Sequence, residues 1–259
     1  MTTDPDTRWR LSVDRGPNSA YHRYVRSDQI LINAYIQDNP ILCDISDDLK
    51  PSSIPTVKIN DQGVSVSLKS LGKAFTLHFT QGDMGRRVHQ KAETLCRVTG
   101  ANRSQRLTIL DATAGLGREA YLMASSGAQV FAFERTLPLY LLTREALTRS
   151  PQQFHLSLGD SVQRWGHMGT DADVIYLDPM FPTKTKRAAV GREAQVLQAF
   201  ATPDSPQDDQ LLTWALDTAL RRVVVKRPIK APPLAGPHPT SAVKGRAVRF
   251  DIYGKRKLP

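Results

Sequence analysis

From about Leu107 onward the chain alternates short apolar runs with longer helical ones, and this rhythm constrains the fold more than any other feature. "LTILDAT", "AQVFAFER", "FHLSLGD", "ADVIYLDP" and "RRVVVKRP" read as strands, "REAYLMASSG", closed by Gly127, and "DDQLLTWALDTAL" as helices, and "LPLYLLTREALTRS" as an amphipathic helix. Strands apolar on both faces and separated by helices form a parallel sheet covered on both sides. The final stretch, "AVKGRAVRFDIYG", has the pattern of a hairpin and gives that sheet an antiparallel end. The expectation is an α/β, Rossmann-like, mostly parallel sheet over residues 101–259. Residues 1–100 form a smaller α+β region, a substrate-facing cap. In it "TVKINDQGVSVSLKSLGKAFTLHF" alternates apolar and polar residues between turns and predicts an antiparallel unit. "GDMGRRVHQKAETLCRVTG" predicts a helix closed by Gly100. "YVRSDQILINAYIQ" fits helix or strand.

A chain of 259 residues suits one large domain, or one with an appendage. Lys and Arg outnumber Asp and Glu by 35 to 25, a net charge of +10, which suits an anionic partner such as nucleic acid or simply a solvated basic surface. No apolar run is long enough for a bilayer, and "MTTDPDTRWRLSVDRG" is unlike a secretory signal, so the expected location is the cytoplasm, with no membrane partner. Cys43 and Cys96 lie far apart and His78, His89, His155 and His167 have no metal spacing, so no metal is expected.

The turn after the first domain strand reads "DATAGLGREA". Gly115 and Gly117 let the backbone pass close to a ligand, and the following helix presents free N–H groups. Glu134 ends the next strand about 20 residues on, where a carboxylate accepts both hydroxyls of a ribose. The pattern predicts a nucleoside cofactor; Gly115-x-Gly117-x-x-Ala120 also fits a dinucleotide fingerprint, and a bare strand-to-helix turn without a ligand is the lesser alternative. At the end of the third strand, Asp160 and Ser161 are placed either to meet an adenine ring or to cap a helix.

"DVIYLDPMFP" drives an apolar strand into Asp178, a stiff Pro179 and the aromatic Phe181. In open α/β sheets ligands sit beyond the carboxyl ends of strands. Amino groups on aromatic bases are poor nucleophiles because their lone pair is delocalised. A carboxylate accepting from the N–H groups orients the nitrogen and stabilises the charge that grows on it, and a ring stacks on the base. Asp178 and Phe181 are therefore the candidate catalytic residues for amino-group methylation. Hydride transfer has no use for this set, and Glu134 before Arg135 disfavours a 2′-phosphate.

"DATAGLGREA", "VIYLDPMFP", "RVVVKRP" with the following "APPLA", and "RFDIYG" occur in order from about residue 107 to the C-terminus. In these the sequence resembles the small-subunit ribosomal RNA methyltransferase J family. The resemblance implies a class I S-adenosylmethionine-dependent methyltransferase with a seven-stranded sheet, acting on the exocyclic N2 of a guanine in 16S rRNA. It implies cofactor contacts from Arg118 and Glu119, from Glu134 and Arg135, from Asp160 and Ser161, and from Asp178. Glu119 stands where the family commonly has Asp, and Asp160-Ser161 where it commonly has Ser-Ser. Upstream, "RRVHQKAETL" replaces a glycine-rich stretch of the relatives.

The implied partner is small-subunit rRNA or the assembling 30S subunit, which requires the target base to be unpaired or flipped. Lys184, Lys186 and Arg187 after the site, Lys226, Arg227 and Lys230 after the fifth strand, and Lys244, Arg246, Arg249, Lys255, Arg256 and Lys257 near the end are expected to gather around one strand edge and hold RNA phosphates. Two other readings share these residues: an amino methyltransferase acting on adenine or cytosine of DNA or other RNA, and a non-catalytic RNA-binding module.

Overall fold

The computed structural model describes residues 9–13, 42–43, 54–89, 94–179, 191–200 and 210–258. Contacts group the described residues up to Leu77 with residues 136–148 and the described part of 183–201 in one unit; the rest form a second.

The first unit holds a four-stranded sheet in the order β2-β1-β3-β4, with β1 at Arg10–Val13, β2 at Leu42–Cys43, β3 at Thr56–Asn60 and β4 at Gly63–Ser67. β1 runs parallel to β2 and β3. β3 and β4 form the expected hairpin, closed by the Asn60–Gly63 pair, with Gly63 at φ +112°. Val57, Ile59, Val64 and Val66 are buried on one face, the alternation their sequence carries. Helix α4 (Leu137–Thr148; α1–α3 are given below) belongs to this unit and is buried nearly all round, not amphipathic as expected; Leu, Tyr and Ala side chains line every face. Helix α6 (Arg192–Phe200) lies outside the expected elements. Its Arg192 guanidinium donates to the carbonyls of Lys73 and Ala74, both at 3.0 Å.

The second unit carries a seven-stranded sheet in the order β10-β11-β9-β8-β5-β6-β7. The strands are β5 (Thr108–Asp111), β6 (Gln129–Glu134), β7 (His155–Leu158), β8 (Val174–Leu177), β9 (Arg222–Pro228), β10 (Ser241–Lys244) and β11 (Val248–Gly254). The five from β5 to β9 are parallel; β11 is antiparallel to β9 and β10 to β11. Its helices are α1 (Gly82–His89), α2 (Thr94–Thr99), α3 (Arg118–Ser125), α5 (Ser161–Arg164) and α7 (Leu211–Thr218). All four β8 residues are buried, as a parallel strand between two others demands. Leu110, Ile175, Leu177, Val223 and Val225 build one core with Phe131, Phe133, Trp165 and Leu212. Because β6 and β7 extend to one side of β5 while β8 and β9 extend to the other, strand order reverses between β5 and β8. That reversal opens a crevice at their carboxyl ends.

Gly100 closes α2 as expected, in the left-handed region at φ +76°. A Cβ there would lie 2.8 Å from Leu258 Cδ1 and 2.9 Å from Leu107 Cδ1. Gly100→Ala is expected to destabilise the protein by about 1–3 kcal/mol through backbone strain and crowding. The thermal midpoint reads this, with cofactor affinity unchanged because the site lies at the other end of the strands.

Candidate active site

Three strand ends meet at the crevice. β5 ends in the buried Asp111, whose Oδ1 accepts from the Thr113 N–H at 3.2 Å. The chain then passes through Gly115 (φ +56°) and Gly117 (φ +66°), left-handed positions that only glycine takes without strain, into α3. Glu134, buried at the end of β6, accepts the Gly115 N–H on Oε2 at 2.7 Å. The Asp178 N–H donates to Thr113 Oγ1 at 2.7 Å, tying the turn after β8 to the turn after β5.

Register decides what faces Asp178. Leu177 pairs with Val225, so the next residues of β8 and β9, Asp178 and Lys226, come side by side. Lys226 Nζ donates to Asp178 Oδ2 at 2.8 Å and to Glu119 Oε1, from the first turn of α3, at 2.9 Å. Burial by itself would raise the Glu119 pKa, but Lys226, with Arg87 and Arg118, holds it below the usual range. Burial, reinforced by the Glu119 charge, pushes Asp178 up to about 6 even though Lys226 pulls the other way. Burial alone would depress Lys226; the two carboxylates raise it instead, so it stays a cation. Asp111 is driven well above the usual carboxylate range by burial, and Glu119, Asp178 and Glu134 add repulsion.

The structure thus brings Gly115, Gly117, Glu119, Glu134 and Asp178 together. Arg118 places Nη2 3.4 Å from Asp83 Oδ2, and Arg135 is half-buried just past β6. Asp160 and Ser161 both serve the turn after β7. Asp160 Oδ1 accepts from the Val162 and Gln163 N–H groups, capping α5, while buried Ser161 donates to the Ala112 carbonyl at 3.1 Å. The capping alternative is therefore realised for Asp160. Phe181, with Lys184, Lys186 and Arg187, lies outside the described residues.

Two expectations about the basic residues are corrected. Lys226, Arg227 and Arg249 are not phosphate contacts on the surface. Lys226 is the ion-pair partner just described. Arg227 is buried and donates from Nε to Pro232 O at 2.9 Å. Arg249 is buried against Asp251, with Nε 2.7 Å from Oδ1 and Nη2 3.0 Å from Oδ2, and also donates to the carbonyls of Pro228, Ile229 and Ala231. A guanidinium carries five donors in a rigid fork, and here it fixes the loop after β9. Nor do the basic clusters share one edge. β11 runs against β9, so Val248 pairs with Pro228 at the carboxyl end and Gly254 pairs with Arg222 at the amino end. Exposed Lys230, Lys244 and Arg246 stand at the crevice edge, whereas Lys255, Arg256 and Lys257 stand at the opposite one.

Sequence reasoning missed the Lys226 bridge, although a lysine following four residues of an apolar strand and preceding its end carried the signal. It also missed Thr113, an unremarkable residue in a glycine turn. The donor set suits a cofactor bearing positive charge: carboxylates at the ends of β6 and β8 and on α3 face the crevice, with Lys226 bridging Asp178 and Glu119. S-adenosylmethionine, with a sulfonium, an amino cation and a ribose diol, matches that set, and Glu134 stands where the diol would be met. Among the described residues no group of His, Cys, Asp or Glu could hold a metal ion, and no helix is long and apolar enough to cross a membrane.

Comparison with known proteins agrees with the geometry. The family described as "Putative SAM-dependent methyltransferase" matches residues 48–255. A ribosomal RNA small subunit methyltransferase J from Halorhodospira halophila is 41% identical over 191 residues, covering 68% of this chain and 72% of that protein. The protein of the same name from Alcanivorax borkumensis is 41% identical over 184 residues, covering 69% and 74%. Among solved structures, a SAM-dependent methyltransferase from Neisseria gonorrhoeae superposes with a TM-score of 0.66 at 24% identity over 94% of this chain and 95% of that one, a likeness of fold.

Proposed function

The chain belongs to the ribosomal RNA small subunit methyltransferase J family of S-adenosylmethionine-dependent methyltransferases, and from that premise we propose that it methylates the exocyclic N2 of a guanine in 16S rRNA. S-adenosylmethionine supplies an electrophilic methyl group on a sulfonium. The chain's own residues do the rest. Asp178 accepts from the target amino group, aims its nitrogen and stabilises the positive charge that develops there. Pro179 stiffens the turn that presents it, and Phe181 stacks on the base. Thr113 and Lys226 set the position and charge of Asp178. The backbone at Gly115 and Gly117, with Arg118, Glu119, Glu134, Arg135, Asp160 and Ser161, forms the cofactor side of the crevice. Small-subunit rRNA or the assembling 30S subunit is the partner, met in the cytoplasm. The observation that carries this reading is Asp178 at the switch between β5 and β8, its backbone N–H bonded to Thr113 after β5 and its carboxylate to Lys226 of β9.

The test is transfer of radiolabelled methyl to small subunits from a strain lacking the enzyme, followed by nucleoside analysis. Label as N2-methylguanine in 16S rRNA is expected. Label on adenine or cytosine, or on DNA and not on rRNA, would overturn the substrate assignment and leave the methyltransferase intact.

A further inference from the structure

The edge of the sheet opposite the crevice gathers cations that the chemistry above does not use. Arg222 opens β9 there, and its Nη1 donates to Val98 O at 2.7 Å, next to exposed Arg97. Arg221 holds the tail across this edge: its carbonyl accepts the N–H groups of Lys255 and Arg256 at 2.8 and 2.9 Å, and its Nη1 donates to Lys257 O at 2.9 Å. The Arg103 stem lies over Gly100 beside Leu258: a Cβ at Gly100 would meet Leu258 Cδ1 at 2.8 Å and Arg103 Cδ at 3.5 Å. Arg106 is exposed two residues before β5 begins. Burial lowers the Arg222 pKa and the nearby Arg103 charge lowers it further, so these two guanidinium groups stand close enough to repel.

Asp173, the acid between the starts of β5 and β9, has both oxygens engaged, Oδ1 by Arg221 Nε at 2.9 Å and Oδ2 by the Thr108 N–H at 3.0 Å. Asp171 and Asp217 are exposed and form no ion pair among the described residues. Arginine-rich, acid-poor surface with like charges held together is what a phosphate backbone neutralises, and guanidinium forks match phosphate oxygens two at a time.

We propose that this amino edge, carrying Arg97, Arg103, Arg106, Arg222, Arg256 and Lys257, is a second RNA-binding face that grips phosphates of the substrate RNA remote from the reacting base. It rests on the function proposed above. β9 runs seven residues between the two edges, about 20 Å. A folded RNA that offers two phosphate-rich segments can cover both edges. Contacts at the amino edge give affinity without base choice, while the crevice reads the base.

The experiment uses the whole protein carrying Arg103→Ala, Arg106→Ala, Arg256→Ala and Lys257→Ala, with protein-free 16S rRNA as the probe. The slope of log affinity against log salt is expected to fall by about 2–4, and KM for RNA to rise roughly tenfold or more. The dissociation constant for S-adenosylmethionine and kcat at saturating RNA stay at the wild-type values. Should the fourfold variant unfold, Arg106→Ala and Arg256→Ala singly give the same readout at smaller amplitude. An unchanged salt slope and KM overturn the proposal. So does an effect confined to assembled subunits and missing on protein-free RNA, which would make this a protein-docking face. If the wild-type protein itself neither binds nor methylates RNA, the function proposed above fails and this face falls with it.

Discussion

Asp178→Asn is expected to lower kcat for methyl transfer by about 10²–10³-fold, the usual cost of removing one pre-aligned electrostatic contact from a transition state. Asparagine keeps the shape but loses the charge and one acceptor, and its single acceptor oxygen is the atom that suits Lys226 Nζ, which now sits 2.8 Å from Oδ2. The wild-type protein is expected to show the same dependence through pH. Burial and the Glu119 charge push the Asp178 carboxyl up to about 6. The charged form is the working form, so kcat/KM is expected to rise through pH 6 and level off above it. The sign for stability is opposite. A carboxyl whose folded pKa exceeds its unfolded value binds its proton more tightly when folded, so its own contribution favours the cofactor-free fold as pH falls from 6 toward 4. Activity and stability therefore move in opposite directions across one window. A pH–rate profile and a thermal-midpoint series on the same buffers test this. An acid limb near pH 4, or a limb near 6 that survives in Asp178→Asn, would refute the assignment.

Lys226→Met has the second large effect. It strands Glu119 and Asp178, both less than a third exposed, as two like charges across the space Nζ occupied. Removing one member of a fully buried charge network costs about 3–5 kcal/mol; partial solvent access here reduces that to about 1–3 kcal/mol, or several degrees in thermal midpoint. A second consequence separates an electrostatic role from simple packing. Lys226 is what restrains the upward shift of Asp178. Without it the acid limb of kcat/KM moves above pH 6, and Lys226→Arg, which keeps the charge, brings it back toward the wild-type position. A loss of stability with an unmoved limb would mean that Lys226 only fills space.

The parallel sheet, the antiparallel end, the hairpin at residues 56–67 and the strand-end positions of Asp111, Glu134 and Asp178 were all legible in the residues. Each depends on local periodicity: apolar strands alternating with helices, glycines where φ must be positive, an acid directly after a buried run. The candidate acids at the crevice could be named for the same reason, since parallel strands all deliver their last residues to one edge. Helix α4 was legible as a helix but not as a buried one, because its polar residues suggested a wet face that the fold does not give it. The partnerships were not legible. Asp178 and Lys226 are 48 residues apart, and Glu119 and Lys226 are 107 apart. Only strand order and the pairing of Leu177 with Val225 set them side by side, turning a lysine that reads as a surface cation into the counter-charge of the site. Likewise "KGRAVRFDIYGKRK" reads as one basic run, yet β11 crosses the sheet within it and carries Arg246 and Arg256 to opposite edges while Arg249 turns inward to Asp251. Residue type and period settle which side chains end each strand. Which charges then face one another depends on strand order and register, because Coulomb energy and desolvation follow distance in space rather than separation along the chain.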